Sequence, residues 1–135
     1  MQEITVEAAL PNIETVTEFV NAQLEAWGCP GKARLQIDIA IDELFSNIAR
    51  YAYGDGAGDA TVRFSFDAST RTASVTFVDG GVPFDPVKRE DPTLPSSIQE
   101  TSIGGLGILM VKKTMDELSY RREAGDNVVT FRKSW

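Results

Sequence analysis

Two side chains one helical turn apart, a carboxylate and a carboxamide, form the first group of residues in this chain with a spacing suited to act on a ligand. They are Glu43 and Asn47, within the stretch DELFSNIARYAY at residues 42–53. Residues four apart in a helix lie on the same side, so both groups project from one edge. A carboxylate can accept the proton of an attacking hydroxyl, and an amide oxygen suits a hard cation. The plainer interpretation is an ordinary solvent-exposed helix face.

A second candidate is Asp79, in FVDGGVPFDP at residues 77–86. It ends a predicted strand, and Gly80 and Gly81 follow it directly. A carboxylate at a strand end can cap a turn. It can equally accept a hydrogen bond from an exocyclic amine, while the glycines let a flat ring lie against the backbone. The residues alone leave both interpretations open.

A third candidate is the glycine-bearing stretch IGGLGILMVKK at residues 103–113. Its glycines fall where a loop becomes a helix, so free N–H groups and the positive end of the helix dipole face one point. That arrangement suits phosphate, although a flexible hinge into a helix would have the same composition. The other glycine-rich stretch, GDGAGD at 54–59, is predicted to be a turn, because a strand follows it and no Gly-Lys-Ser/Thr does.

The absence of histidine among 135 residues excludes several kinds of chemistry. Ser-His-Asp and Cys-His catalysis, most zinc sites and a histidine phospho-acceptor all require that side chain. Any reaction must therefore depend on carboxylates, amides and backbone dipoles, with or without a bound metal.

Composition and charge predict one cytoplasmic domain. A chain of 135 residues supports a single core. Its one cysteine, Cys29, cannot form an internal disulfide, and the N-terminal MQEITVEAAL lacks the basic and apolar regions of a leader. No apolar run is long enough to span a bilayer. A net charge of −7 argues against nucleic acid or an anionic membrane as the partner.

The apolar spacing predicts the element order β-α-α-β-β-loop-α-β-β. The second helix, from about Lys32 to Tyr53, is expected to bury one face, made of Leu35, Ile37, Ile41, Leu44, Phe45, Ile48 and Ala52. The loop from Gly80 to Gly105 lacks periodicity, which is typical either of a disordered segment or of a functional one such as a lid. The last two strands are expected to meet at a turn of Gly125, Asp126 and Asn127. Hairpins with three helices on one face predict a two-layer α/β sandwich.

In this order the three candidates resemble the N, G1 and G2 boxes of the GHKL nucleotide-binding superfamily. DGGVPFDP, GGLGILMVKKTMDELSY and NVVTFRK are similar to segments of its small anti-sigma-factor serine kinases, the RsbW-like branch. The similarity spans nearly the whole chain. It implies one domain, residues 1–135, with a Bergerat-type ATP-binding fold: a mixed, mostly antiparallel sheet, helices on one face and a long ATP lid. A departure is Val82-Pro83, where the G1 box often has a second glycine.

The resemblance also implies roles for individual residues. Glu43 would be the general base, and Asn47 would hold the Mg²⁺ that bridges the phosphates of ATP. Asp79 would read the adenine amine, and Gly81 would permit its close approach. The remaining implied contacts to ATP come from Arg50, Tyr51, Thr101 or Ser102 in the lid, and the amides near Gly105, Leu106 and Gly107. Two alternatives stay open: Arg50 pairs with Asp42 or Ser46, and Tyr51 is an ordinary helix-edge residue.

The function implied by the resemblance is that of an anti-sigma-type serine/threonine protein kinase. It would phosphorylate a serine of a STAS-type anti-anti-sigma protein and sequester a sigma factor. The first helix forms dimers in this branch, which makes a homodimer possible. Neither nucleic acid nor membrane is an expected direct partner. The alternative is a non-catalytic ATP- or ADP-dependent binding module, and Glu43 argues against it because a pure binder needs no base.

Overall fold

The chain folds in the predicted element order, as seen in a computed structural model that describes residues 1–87 and 106–135. The residues of the predicted lid from 88 to 105 lie outside the described part. No helix in the described ranges is long and apolar enough to cross a membrane. The elements are β1 (Gln2–Glu7), a 3-10 turn (Leu10–Asn12), α1 (Ile13–Ala26), α2 (Gly31–Asn47), a π-helical turn (Ile48–Ala52), β2 (Asp59–Asp67), β3 (Thr72–Asp79), α3 (Leu106–Thr114), β4 (Glu117–Glu123) and β5 (Asp126–Ser134).

The five described strands form one sheet in the order β1-β2-β3-β5-β4. Every pairing among them is antiparallel. Successive side chains of a strand point to opposite faces, so one face of the sheet collects the apolar residues. On β3 these are Ala73, Val75 and Phe77, which are buried, while the alternate positions are only partly buried.

The core lies between that apolar face and the helices. It joins Val16, Val20 and Leu24 of α1 and Ile37, Ile41 and Phe45 of α2 to the sheet, and α3 adds Ile108 and Val111. Burying each such side chain stabilises the fold by about 1.5–3 kcal/mol. The helices therefore cover one face of an antiparallel sheet, which confirms the predicted two-layer α/β sandwich.

Leu35 was wrongly predicted to belong to the buried face of α2. Its side chain is 62% exposed, whereas Ile37 and Ile41 are fully buried. A helix turns about 100° per residue, so Leu35 lies about 200° around the axis from Ile37. An apolar residue two positions from the buried stripe is consequently directed to solvent.

The turn between β4 and β5 lies one residue earlier than predicted. Ala124 and Gly125 are its central residues, with φ angles of +52° and +86°. Positive φ at both central positions matches the twist of a two-residue hairpin. Asp126 and Asn127 are therefore in β5, where Asn127 pairs with Arg122 of β4 on one side and with Asp79 of β3 on the other.

Candidate functional site

The end of α2 is shaped by the π-helical turn that follows Asn47 directly. Such turns are rare and occur frequently at functional sites. The carbonyl of Ala52, its last residue, accepts a hydrogen bond from the Val82 amide at 2.8 Å. A Cβ on Gly81 would overlap that carbonyl. The close approach that the structure shows at Gly81 is thus to the backbone of Ala52, and it joins the helix end to the loop after β3.

Tyr53 fixes the same loop from the other side. Its hydroxyl donates to the carbonyl of Asp59 at 2.6 Å and accepts from the amide of Gly80 at 2.8 Å. Burial raises the pKa of this hydroxyl, and the negative charges of Asp79, Asp59 and Asp126 raise it further. Tyr53 therefore stays protonated at neutral pH and keeps both hydrogen bonds.

Asp79 stands at the inward-facing end of β3 and is 4% exposed. Its Oδ1 accepts hydrogen bonds from the amide of Gly81 and from Nδ2 of Asn127, both at 3.0 Å. The first of these is the turn cap that the sequence allowed. Oδ2 accepts no hydrogen bond from any residue in the described ranges. One oxygen thus anchors the carboxylate, and within the described ranges the other is an unused acceptor.

Asn127 is a site residue that the sequence analysis missed. It is 2% exposed, and its Nδ2 donates both to Asp79 and, at 2.8 Å, to the carbonyl of Val82. The sequence pattern of β5 could have identified it, because Phe131, Val129 and Asn127 occupy successive inward positions of the strand. Assigning Asn127 to the turn removed it from that pattern.

The other end of the Asn127 carboxamide is held from β4. Oδ1 accepts a hydrogen bond from the Tyr120 hydroxyl at 2.6 Å and one from Nη1 of Arg122 at 3.1 Å. The amide of Phe84 approaches the same oxygen at 3.3 Å. Arg122 Nη1 also donates to the carbonyl of Gly81 at 2.8 Å. Two strands and the loop after β3 are therefore tied together beside Asp79.

A pocket of about 400 Å³, its open mouth included, lies between the end of α2 and this network. Its mainly apolar walls with a few polar groups are typical of a small-molecule site. Tyr51, which is 45% exposed, contributes a flat ring. The lining residues are Leu44, Asn47, Ile48, Tyr51, Ala52, Asp79, Val82, Phe84, Pro86, Asn127 and Val129.

Asn47 brings a buried carboxamide to this pocket. The residue is 8% exposed, and its Nδ2 has no hydrogen-bond partner among the residues that the structure describes. Leaving a buried polar group unpaired costs about 1–3 kcal/mol, so such a group calls for an explanation. The described residues contain no cluster of three acidic, histidine or cysteine side chains that could hold a metal.

Glu43 and Gly107 meet at the start of α3. A Cβ on Gly107 would overlap the carboxylate of Glu43, so the backbone of the helix start lies directly against that side chain. The positive end of a helix dipole favours an anion at this place. The structure thus brings together a carboxylate of α2 and the N-terminal end of α3, where Leu106 is the first helical residue that the structure describes.

The structure places the remaining predicted site residues differently. Arg50 is exposed, does not line the pocket, and makes no hydrogen bond or ion pair with any described residue, including Asp42 and Ser46. Thr101, Ser102 and Gly105 lie outside the described residues. Of the predicted set, Asn47, Tyr51 and Asp79 share the pocket, while Glu43 and Gly107 form the second contact.

Comparison with known families gives a match along nearly the whole chain. Residues 6–133 match the family described as the histidine kinase-like ATPase domain. A solved structure of the same general kind is the histidine kinase domain of the blue-light-activated histidine kinase from Erythrobacter litoralis EL346. It superposes with a TM-score of 0.55 at 16% identity, covering 92% of this chain and 59% of that one. This likeness concerns the fold.

Two curated proteins are similar in sequence. Serine/threonine-protein kinase BtrW of Bordetella bronchiseptica is 28% identical over 99 residues, which are 73% of this chain and 69% of that protein. Serine-protein kinase RsbW of Bacillus velezensis is 32% identical over 97 residues, 68% of this chain and 59% of that protein. The match thus spans 69% of the length of BtrW and 59% of the length of RsbW.

Proposed function

Because this chain belongs to the histidine kinase-like ATPase domain family, we propose that it is an ATP-dependent serine/threonine protein kinase of the anti-sigma type. The observation that carries the proposal is the shared pocket of Asp79, Tyr51 and Asn47, with Glu43 held nearby against the start of α3. Similarity to BtrW and RsbW supports the choice of a protein kinase within this family.

The pocket would hold the adenine ring. The exocyclic amine of adenine would donate to Asp79 Oδ2, which has no donor among the described residues. Apolar walls, including Ile48 and Val129, would exclude water from the faces of the ring, and Tyr51 would lie at its edge. A buried carboxylate in such surroundings discriminates strongly between donors and acceptors, because a mismatched partner leaves it unpaired.

The phosphates would extend towards the start of α3. There the free amides of the first turn and the helix dipole favour negative charge. Asn47 would hold Mg²⁺ through its carboxamide oxygen, and the described residues present no competing hydrogen bond to that oxygen. When bound, Mg²⁺ neutralises charge that develops on the phosphates.

Glu43 would then act on the attacking serine. As its hydroxyl oxygen bonds to the γ-phosphorus, the bond to the β–γ bridging oxygen breaks, ADP leaves, and the hydroxyl proton passes to the carboxylate. Contact with Gly107 would restrict the orientation of Glu43. A positioned base of this kind typically contributes 10²–10⁴-fold to the rate.

The protein substrate in this proposal is a STAS-type anti-anti-sigma protein, and the sequestered partner is a sigma factor. Similarity to RsbW supports this choice, and the net charge of −7 suits partners with basic surfaces. A cytoplasmic location, assembly as a homodimer, and the absence of direct contacts with nucleic acid or membrane belong to the same proposal. Nucleotide state and partner affinity would then be coupled reciprocally.

Calorimetry of ATP binding, with and without Mg²⁺, tests the nucleotide site. We expect Asn47→Ala to weaken binding roughly tenfold or more in the presence of Mg²⁺, because one ligand of the ion is lost, and to change Mg²⁺-free binding little. Ser46→Ala is the matched control, since Ser46 is also buried in the last turn of α2 but does not line the pocket. Absence of wild-type binding at roughly millimolar ATP would refute the proposed function.

The base preference of the pocket provides a second test. Asp79→Asn is expected to weaken ATP binding by about 1.5–3 kcal/mol, because an amide N–H would replace the acceptor that faces the adenine amine. Competition titrations with ATP and GTP would measure this. Asp126→Asn serves as the control, as it removes a nearby negative charge without lining the pocket. Equal wild-type affinities for ATP and GTP would contradict the role of Asp79.

A further inference from the structure

The carboxamide of Asn127 can adopt only one of its two flipped orientations. Oδ1 faces Arg122 and the amide of Phe84, which are donors only. Nδ2 faces the carboxylate of Asp79 and the carbonyl of Val82, which are acceptors only. Rotating the carboxamide by half a turn would create four mismatched contacts in a residue that is 2% exposed. The orientation of this side chain is therefore determined by its partners.

The orientation of Asn127 directs a hydrogen-bond donor at the carboxylate of Asp79. Nδ2 of Asn127 and the Gly81 amide together supply two donors to the same carboxylate oxygen, each at 3.0 Å. The plane of the carboxylate is thereby fixed, and the second oxygen remains an acceptor in a wall of the pocket. An amine donor on a bound ring matches this wall, and a carbonyl does not.

Two side chains of β4 hold Asn127 in this orientation without lining the pocket themselves. Tyr120 donates to Asn127 Oδ1 at 2.6 Å, and Arg122 donates both to that oxygen and to the carbonyl of Gly81. Neither side chain lines the pocket. Any effect they have on a ligand must therefore pass through Asn127 and the loop after β3.

We propose that Asn127 is a positioning residue that determines base specificity: oriented by Tyr120 and Arg122, it presents Asp79 as an acceptor for the amino group of a purine. This inference rests on the proposed nucleotide-binding function. It adds to that function a residue and an edge strand for which the sequence analysis gave no role.

Asn127→Asp is the decisive variant, because it keeps the shape and the acceptor oxygen but replaces the donor to Asp79 by a second carboxylate oxygen. At about pH 8 we expect ATP to bind on the order of a hundredfold more weakly than to wild type. Towards about pH 5.5 the two neighbouring carboxyl groups should share a proton, which restores a donor between them. The ATP affinity of the variant, relative to wild type at the same pH, should then recover to within roughly tenfold.

The charged and titratable groups around the new carboxyl are few in the described part of the chain. Asp79 faces it from β3, Tyr120 and Arg122 face it from β4, and Asp126 precedes it in the chain. Tyr53, which follows the π-helical turn, interacts electrostatically with Asp79 and Asp126 and stays neutral in this pH range. Arg122 favours the charged form of the new carboxyl, so recovery is expected only at the acid end of the titration.

A double variant, Tyr120→Phe with Arg122→Met, tests the orienting role separately and leaves Asn127 in place. We expect roughly tenfold weaker ATP binding and a smaller preference for ATP over ITP, in which a carbonyl replaces the amine. Arg121→Met is the control, because Arg121 is the neighbouring position on β4 and pairs with Glu123 at 2.7 Å rather than with the network.

The outcomes separate the two proposals. Failure of the wild type to bind ATP overturns the proposed function and this inference with it. Wild-type binding, together with an Asn127→Asp variant whose relative affinity is the same at both pH values, overturns the inference alone. If that variant does not fold, an unchanged ratio of ATP to ITP affinity in the double variant overturns it instead.

Discussion

Replacing Glu43 with glutamine is expected to lower the rate of phosphoryl transfer by about 10²–10⁴-fold while ATP binding changes little. The amide keeps the size of the side chain and its contact with Gly107 but cannot accept the serine proton at neutral pH. Radiolabelled ATP and a purified STAS-type partner would measure the transfer, and calorimetry would measure the binding. A fall in kcat with an unchanged Kd for ATP would show that the carboxylate acts in the chemical step.

The matched control is Asp42→Asn. Asp42 is the preceding residue of α2, carries the same charge and is exposed to solvent. Comparing the two variants separates a general loss of negative charge on this helix from the loss of one specific base. Transfer at the wild-type rate by Glu43→Gln would exclude Glu43 as the base. Absence of transfer by the wild type, with ATP still bound, would instead favour a nucleotide-dependent binding module without catalysis.

The sequence predicts the order of the elements well, because helix and strand periods are local properties. Glu43 and Asn47 were assigned to one helix from their spacing, and Asp79 to a strand end from the alternation before it. The structure agrees with both placements. These are the residues whose position depends only on neighbours in the chain.

The errors concern residues whose environment depends on register. Leu35 is apolar, but only the packing of Ile37 and Ile41 decides which stripe of α2 faces the sheet. Asn127 is typical of a turn by composition, and a shift of one residue moved it into β5 with its side chain inward. A shift of one residue moves a strand side chain to the opposite face of the sheet. The one-residue error in the position of the turn is therefore the reason that Asn127 was missed as a site residue.

The π-helical turn was also beyond prediction from apolar spacing. A continuous helix to Tyr53 and a helix that widens at Ile48–Ala52 bury similar residues, including Ile48 and Ala52. The two kinds of helix differ in the direction of the carbonyl groups of their last residues. In the structure the Ala52 carbonyl meets the loop after β3, and this backbone contact joins the two elements that carry Asn47 and Asp79.

Gly81 is the residue on which that junction depends, so Gly81→Ala is expected to have the second large effect. The added Cβ would overlap the carbonyl group of Ala52, which is backbone and cannot rotate away. The loop would have to withdraw, lengthening the 2.8 Å hydrogen bond from Val82 to Ala52 and the 3.0 Å bond from Gly81 to Asp79. We expect the free energy of unfolding to fall by about 1–3 kcal/mol and ATP affinity to fall on the order of a hundredfold.

Gly80→Ala is the matched control, one residue away in the same loop. A Cβ there would lie 3.4 Å from Oδ1 of Asp126 and 3.8 Å from the Tyr53 hydroxyl, both ordinary contacts. This variant should keep wild-type stability or gain a few tenths of a kcal/mol, because alanine restricts the unfolded chain, and its ATP affinity should be unchanged.

Urea unfolding and calorimetry of both variants would test the pair. If the two alanines behave alike, the loop tolerates a side chain at either position, and contact with the π-helical turn is not what holds Asp79 in place. If only Gly81→Ala loses ATP affinity, the position of Asp79 depends on a contact between backbone atoms, to which no side chain contributes.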